Sequence, residues 1–171
     1  MRLLGKMFFT LLLLGSLTLF AEEKKSKVAN NPAFEKMKTL AGSWEGTADE
    51  GGKKVPTNAR FQLIADGSAL MGWLNEGIAD EMVTMFHPDG SDLMATHYCA
   101  AHNQPRMVLR PGGDANKLVF KFKDGTNIEP GGGYMTQVTF VIDAPNHHAE
   151  EWTYVEKGQE TVARFDFHRK P

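Results

Sequence analysis

The sequence is poor in cysteine: Cys99 is the only one among 171 residues. A single cysteine excludes an intramolecular disulfide, so the folded chain must be stabilised by packing of its core. The N-terminal apolar segment has no cysteine near its end, which argues against a bacterial lipid anchor. Because unpaired cysteines are among the most buried residue types, we expect Cys99 to be buried.

The sequence also lacks an excess of positive charge. It has 19 basic and 21 acidic residues, and its formal net charge is −2. Residues 1–21 include two of the basic residues, Arg2 and Lys6, and no acidic ones. The rest of the chain therefore has 17 basic and 21 acidic residues, or about −4. Proteins that bind nucleic acid or anionic membranes carry a basic patch, so this composition argues against both kinds of partner.

Two further features are missing. No helical segment between the strand-like segments is long enough for a crossover, which argues against a parallel sheet. No complete catalytic signature is present, so the sequence names no reaction.

Residues 1–21 have the pattern of a signal peptide. A positive start is followed by an apolar run, Met7 to Phe20, and then by the small residue Ala21. The run is shorter than a typical membrane-spanning helix, and charged residues follow it at once. We therefore predict cleavage after residue 21, a periplasmic or secreted protein, and no stable membrane anchor after cleavage. Residues 22–32 are polar and lack aromatic side chains, which predicts a flexible leader.

One short helix is predicted at 33–40. Phe34, Met37 and Leu40 recur at three-residue spacing and can share one face, and Asn31-Pro32 is a favourable start for a helix.

Beyond this helix the apolar residues alternate with polar ones, as in strands whose two faces differ. Leu118 and Phe120, for example, alternate with Lys117 and Lys121. Turn signals rich in glycine, proline, aspartate and asparagine separate the segments. The pattern predicts ten strands, near 43–49, 56–65, 68–75, 80–87, 92–99, 105–110, 117–123, 134–142, 148–156 and 161–168.

Short strands at this regular spacing are typical of a meander, and a closed barrel completes a meander without exposed edges. We therefore predict an all-β fold for residues 33–171: a single antiparallel up-and-down β-barrel of eight to ten strands, capped by the N-terminal helix.

The short helix followed by Gly42-Ser43-Trp44 resembles the opening of the calycins, the superfamily of lipocalins and fatty-acid-binding proteins. The resemblance implies a calycin-like barrel with Trp44 packed across its floor and a small ligand in its interior. Trp44-Glu45-Gly46 is also similar to the opening of nitrobindin-type haem barrels, which hold haem through a histidine in the last strand. Here the corresponding stretch, 160–163, has no histidine, and the alternation turns His168 toward solvent.

A closer resemblance is to a group of exported bacterial lipocalin-like proteins. It rests on His97-Tyr98-Cys99, on Asn103-Gln104-Pro105-Arg106 and on Glu151-Trp152. This resemblance implies no particular activity.

The segment from Thr96 to Arg106 is the densest group of polar and reactive side chains. A barrel that only packed would favour aliphatic residues here, so several polar groups in one place indicate a site. The residues predicted to contact a ligand lie in this segment and on the strand near 148–156: His97, Cys99, Asn103, Gln104, Arg106, Glu150 and Trp152.

The same segment allows three other interpretations. His97, Cys99 and His102 are suitable ligands for zinc or copper. Alternatively, Cys99 is a nucleophile activated by His97, with Glu150 or Glu151 orienting the imidazole. Third, these polar groups satisfy one another in a purely structural network.

Several placements follow from the same pattern. Arg106 lies either in the lumen, where it would bind a carboxylate, or on the outer face. A buried Glu150 needs a partner, and Arg106 and His97 are the candidates. His147 and His148 are expected in a turn, exposed to solvent.

Taken together, the sequence predicts an exported barrel protein that binds a small apolar or amphipathic molecule in its lumen. The alternative is a small barrel enzyme or a metal-binding protein that uses His97, Cys99 and His102. The sequence requires no cofactor; zinc and haem are the candidates. It indicates no oligomeric state.

Overall fold

A computed structural model describes residues 30–50 and 52–171 of the chain. The predicted signal peptide and residues 22–29 of the predicted leader lie outside the described residues. The described part contains one helix and ten strands: α1 (Pro32–Lys38), β1 (Gly42–Glu50), β2 (Lys53–Ile64), β3 (Ala69–Leu74), β4 (Met82–Asp89), β5 (Asp92–Tyr98), β6 (Gln104–Arg110), β7 (Lys117–Thr126), β8 (Tyr134–Ala144), β9 (His147–Glu156) and β10 (Gln159–Arg169).

The strands form one closed antiparallel barrel. Each strand pairs with its neighbours in the sequence, and β1 pairs with β10 to close the sheet. Closure removes the free strand edges that an open sheet would expose. The predicted all-β, up-and-down barrel with a short N-terminal helix is therefore confirmed, with ten strands, and each of the ten predicted strand segments is present.

Alternation along the strands decides which side chains form the core. Phe120, Phe140 and Phe86 are buried inside the barrel and meet edge to face, with ring centroids 5.5 to 6.3 Å apart. Each such aromatic pair contributes about 0.5–1.5 kcal/mol beyond the area it buries. On β10, Phe165 and Phe167 are buried in the same core, while Asp166 between them faces outward.

Helix α1 closes one end of the barrel, which we call the floor. The side chain of Asn31 caps the helix by accepting a hydrogen bond from the backbone N–H of Phe34 at 3.0 Å, and Pro32 occupies the first turn. The helix thus begins one residue before the predicted start and ends two residues before the predicted end.

Trp44 lies at the floor beside this helix, as expected. It is 1% exposed, and its indole N–H donates to the carbonyl of Leu40 at 2.8 Å. The guanidinium of Arg169 stands over the Trp44 ring and donates to the carbonyls of Ala41 and Thr39. The last strand therefore holds the helix against the floor.

The opposite end of the barrel is the mouth. In a meander, alternate connections lie at the same end, so the mouth contains the β1–β2, β3–β4, β5–β6, β7–β8 and β9–β10 connections. Among the described residues, no helix has the length and hydropathy of a membrane span.

Candidate functional site

Three polar side chains form a row along the inner face of β9. His148, Glu150 and Trp152 are two residues apart, so the alternation of a strand points all three into the barrel. The indole N–H of Trp152 donates to one carboxylate oxygen of Glu150 at 2.8 Å, and Nε2 of His148 lies 3.0 Å from the other. Glu150 is only 2% exposed, and each of its two carboxyl oxygens has a hydrogen-bond partner in this row. We call these residues the polar row.

The polar row corrects two sequence predictions. Glu150 was expected to pair with Arg106 or His97, and its partners are His148 and Trp152. His148 was expected in an exposed turn, and it is fully buried. The reason is that β9 begins at His147, so His148 already takes the inward position of the strand. Its ring is stacked on Phe167, with centroids 5.0 Å apart.

His97 lies inside the barrel next to this row. Its ring centroid is 4.6 Å from that of Trp152, and its Nδ1 lies 2.8 Å from the hydroxyl oxygen of Thr84. Its Nε2 is buried, and no hydrogen-bond partner is present among the described residues. Burial lowers the pKa of His97 to about 4, because the charged imidazole would lose its water, so the ring is neutral at pH 7.

Cys99 and Asn103 lie at the mouth. Cys99 is partly rather than fully buried, and this burial raises the pKa of its thiol. A raised pKa keeps sulfur protonated, which does not favour the nucleophilic interpretation. Asn103 is buried, and its amide donates to the carbonyl of Gly133 at 2.8 Å. It thereby ties the β5–β6 loop to the neighbouring β7–β8 loop at the mouth.

Arg106 and Gln104 lie on the outer face. Pro105 and Met107 take the inward positions of β6, so the side chains on either side of Pro105 point outward. Arg106 is exposed and pairs with Asp124. The amide oxygen of Gln104 accepts from Thr126 at 2.8 Å. Of the two positions considered for Arg106, the structure shows the outer one, so neither Arg106 nor Gln104 lines the lumen.

His97, Cys99 and His102 are not brought together as a metal site. His97 is inside the barrel, whereas His102 is exposed in the β5–β6 turn. The backbone of His102 has a positive φ of 62°, as is common in turns. Among the described residues, the group of metal-ligating side chains that converges is a different one, which lies on the outer face. It contains His168, which is exposed as the alternation predicted.

A cavity of about 410 Å³ opens at the mouth, beside Trp152. Its polar rim includes Asp49, Thr57, Asn75 and Asp80. We call it the mouth cavity. Its larger apolar side chains are those of Val55, Leu74, Ile78, Met82, Met135, Trp152 and Phe165.

Of the predicted ligand-contacting residues, only Trp152 lines the mouth cavity. Sequence reasoning missed the other wall residues because they come from six strands and the β3–β4 loop, one to three from each, and no local pattern groups them. A second, smaller space of about 10 Å³ lies between Thr84, Glu150 and Trp152, close to the volume that one water molecule needs.

Comparison with known proteins addresses the fold. No protein-family model matches the sequence, and no curated protein matches it. Among solved structures, the crystal structure of Rv2717c from M. tuberculosis is similar to this one, with a TM-score of 0.59 and 12% sequence identity. The match covers 82% of this chain and 98% of that chain. A likeness at this identity supports the barrel fold, and the calycin assignment stays a prediction.

Proposed function

We propose that this chain is an exported barrel protein that binds a small apolar or amphipathic molecule in the mouth cavity. The observation that carries the proposal is the cavity itself, about 410 Å³ with apolar walls. Small-molecule sites in proteins have volumes of about 300–1,000 Å³, apolar walls and a few polar groups. The proposal of export rests on the signal-peptide pattern of residues 1–21.

The walls of the cavity favour an apolar ligand body. Leu74, Met82, Met135 and Phe165 surround the space from four different strands. Removing about 100 Å² of apolar ligand surface from water would contribute about 2.5 kcal/mol, before the cost of immobilising the ligand. Methionine side chains are flexible and adapt to ligands of different shape.

Trp152 forms the base of the cavity, and two contacts hold its ring in place. Trp152 is held from below by its hydrogen bond to Glu150 and from the side by the ring of His97. A fixed aromatic surface at the base adds to affinity because binding does not have to order it.

The rim indicates which polar group the ligand carries. Asp49 and Asp80 are the charged residues at the cavity, and none of the described residues that line it is basic. A carboxylate would therefore meet negative charge, and Arg106, which could have bound one, is on the outer face with Asp124. We accordingly expect a neutral or cationic head group rather than an anionic one.

The proposal can be tested with a neutral apolar fluorophore, N-phenyl-1-naphthylamine. Ala163 lines the mouth cavity, and its neighbour Val162 is 40% exposed on the outer face of the same strand. Ala163→Phe should fill the space and weaken fluorophore binding at least ten-fold, while the matched control Val162→Phe should bind like the wild type. Equal binding by the two variants, or no binding by the wild type, would refute the proposal.

The head-group preference needs a separate titration. Dodecyltrimethylammonium and dodecyl sulfate have the same chain length and opposite charge, and each can compete with the fluorophore. The cationic amphiphile should displace it at the lower concentration. Asp80→Asn should reduce that difference, because it removes one of the two rim charges.

A further inference from the structure

Three metal-ligating side chains converge on the outer face of the barrel, at the floor end. His147 begins β9, and His168 lies directly opposite it on β10. Asp166 is two residues before His168, so it points outward on the same side. We call these three residues the His–Asp–His cluster. It lies on the outer face of the barrel, away from the mouth cavity, and shares no residue with the polar row or with the cavity walls.

The spacing of the cluster is that of metal ligands. Nε2 of His147 lies 3.4 Å from Oδ2 of Asp166, and Nε2 of His168 lies 3.4 Å from the other carboxylate oxygen, Oδ1. One ligand atom from each of the three residues can be chosen so that all three lie within 4.8 Å of one another. Two ligands bound about 2.0–2.1 Å from a tetrahedral ion are about 3.4 Å apart. The same distance is long for a hydrogen bond between nitrogen and oxygen, which is about 2.9 Å.

A fourth side chain orients one of the ligands. Nδ1 of His147 lies 2.6 Å from a carboxylate oxygen of Asp143. Donation of the Nδ1 proton to Asp143 fixes the imidazole tautomer and leaves Nε2 free, facing Asp166. Histidines that bind metals almost always have such a carboxylate or carbonyl partner on the other ring nitrogen.

We propose that His147, Asp166 and His168 bind one divalent transition-metal ion such as Zn²⁺, with Asp143 as the orienting residue. Two imidazoles and one carboxylate suit an ion of borderline softness rather than Ca²⁺ or Mg²⁺, which prefer oxygen ligands alone. Asp166 and His168 are exposed and His147 is half-buried, so the ion can enter from solvent and keeps its fourth position for water.

The ion would join two strands where the chain closes the floor. Arg169 follows His168 directly and donates to the carbonyls of Pro145, Ala41 and Thr39. A link between His147 and His168 would therefore stabilise the end of β10 that holds α1 in place. Binding to the folded state alone raises the melting temperature in proportion to the logarithm of the metal concentration.

Calorimetric titration of the untagged full chain with ZnCl₂, at mildly alkaline pH, tests the site. The wild type should bind one ion per chain. His147→Ala, Asp166→Ala and His168→Ala should each weaken binding at least 100-fold, and Asp143→Asn about 10–100-fold, as expected for an orienting residue. Two control variants should bind like the wild type: His87→Ala, which removes another exposed histidine, and Cys99→Ser, which removes the thiol.

A second measurement does not depend on substitutions. Addition of Co²⁺ to the wild type should produce the strong visible absorption of a tetrahedral site and broaden the NMR signals of the His147 and His168 imidazoles. The signals of His97, which is buried inside the barrel, should broaden least. The proposal is wrong if the wild type binds no Zn²⁺, if the three ligand variants keep its affinity, or if Co²⁺ broadens the His97 signals first.

Discussion

At the scale of single residues, His97 shows how the barrel interior changes the chemistry of a side chain. The ring is fully buried, and one of its nitrogens contacts the Thr84 hydroxyl. Solvation of a charged imidazole is lost at this position, which is why the pKa falls to about 4. The other nitrogen is buried and has no hydrogen-bond partner in the part of the chain that the structure describes. This nitrogen can accept or donate a hydrogen bond, but the ring carries no positive charge at pH 7.

We predict that this burial makes the stability of the protein depend on pH. The pKa of His97 is about 4 in the folded chain and about 6.5 when unfolded, so between these values the unfolded chain binds more protons. The contribution of the neutral His97 to the free energy of unfolding is complete above about pH 6.5 and is lost as the pH falls toward 4. The total loss is about 3 kcal/mol.

Urea unfolding between pH 4 and 7 measures the effect. His97→Gln should have a shallower pH dependence than the wild type over this range, whereas the exposed control His87→Ala should match the wild type. Identical slopes for His97→Gln and the wild type would show that His97 does not titrate as predicted.

At the scale of an element, β9 presents two different faces. Its inner face carries the polar row, and its outer face carries residues such as Glu151, which pairs with Arg164 at 2.8 Å in solvent. Glu150 and Glu151 are adjacent and have the same side chain. Any difference in what they contribute to stability therefore comes from the face of the strand on which each one lies.

We predict that Glu150→Ala lowers the free energy of unfolding by about 3 kcal/mol, because it leaves the buried Trp152 N–H and His148 Nε2 without their partner. Glu151→Ala should cost less than about 1 kcal/mol, since it removes only an exposed ion pair. Urea denaturation of the two variants makes the comparison. Equal losses would mean that the polar row does not stabilise the barrel.

At the scale of the whole molecule, closure of the sheet joins the ends of the described chain. β1 and β10 pair with each other, and the residue that ends β10, Arg169, reaches back to the loop after α1. The proposed ligand site and the proposed metal site lie apart, one inside the mouth and the other outside near the floor. A substitution at one site is therefore expected to leave the binding affinity of the other site unchanged.

We predict that a bacterial host exports the protein and that the exported form begins at Glu22. Leu12→Arg interrupts the apolar run and should keep the intact chain inside the cell, because a shortened apolar core is a poor export signal. Ser26→Arg adds the same charge beyond the run and should not affect export. N-terminal sequencing of the periplasmic, cytoplasmic and membrane fractions checks both, and an intact Met1 in the wild-type membrane fraction would contradict the prediction.

Much of the fold was determined by the sequence alone. The alternation of apolar and polar residues is local, and it sets both the position of a strand and the direction of its side chains. For this reason the ten strands, the burial of Phe165 and Phe167 and the exposure of His168 could be predicted without any contact information. The start of α1 could also be predicted from local sequence, because Asn31 and Pro32 act within one turn of the helix that they begin.

The tertiary structure decided how these side chains combine. The segment from Thr96 to Arg106 is contiguous in sequence, yet its turn and the alternation of β6 send His97 inward and Arg106 outward. The walls of the mouth cavity come from strands far apart in sequence, so no local pattern reveals them. His147 and His168 meet only because β9 and β10 pair in one particular register, and a shift of a single residue would turn one of them to the other face.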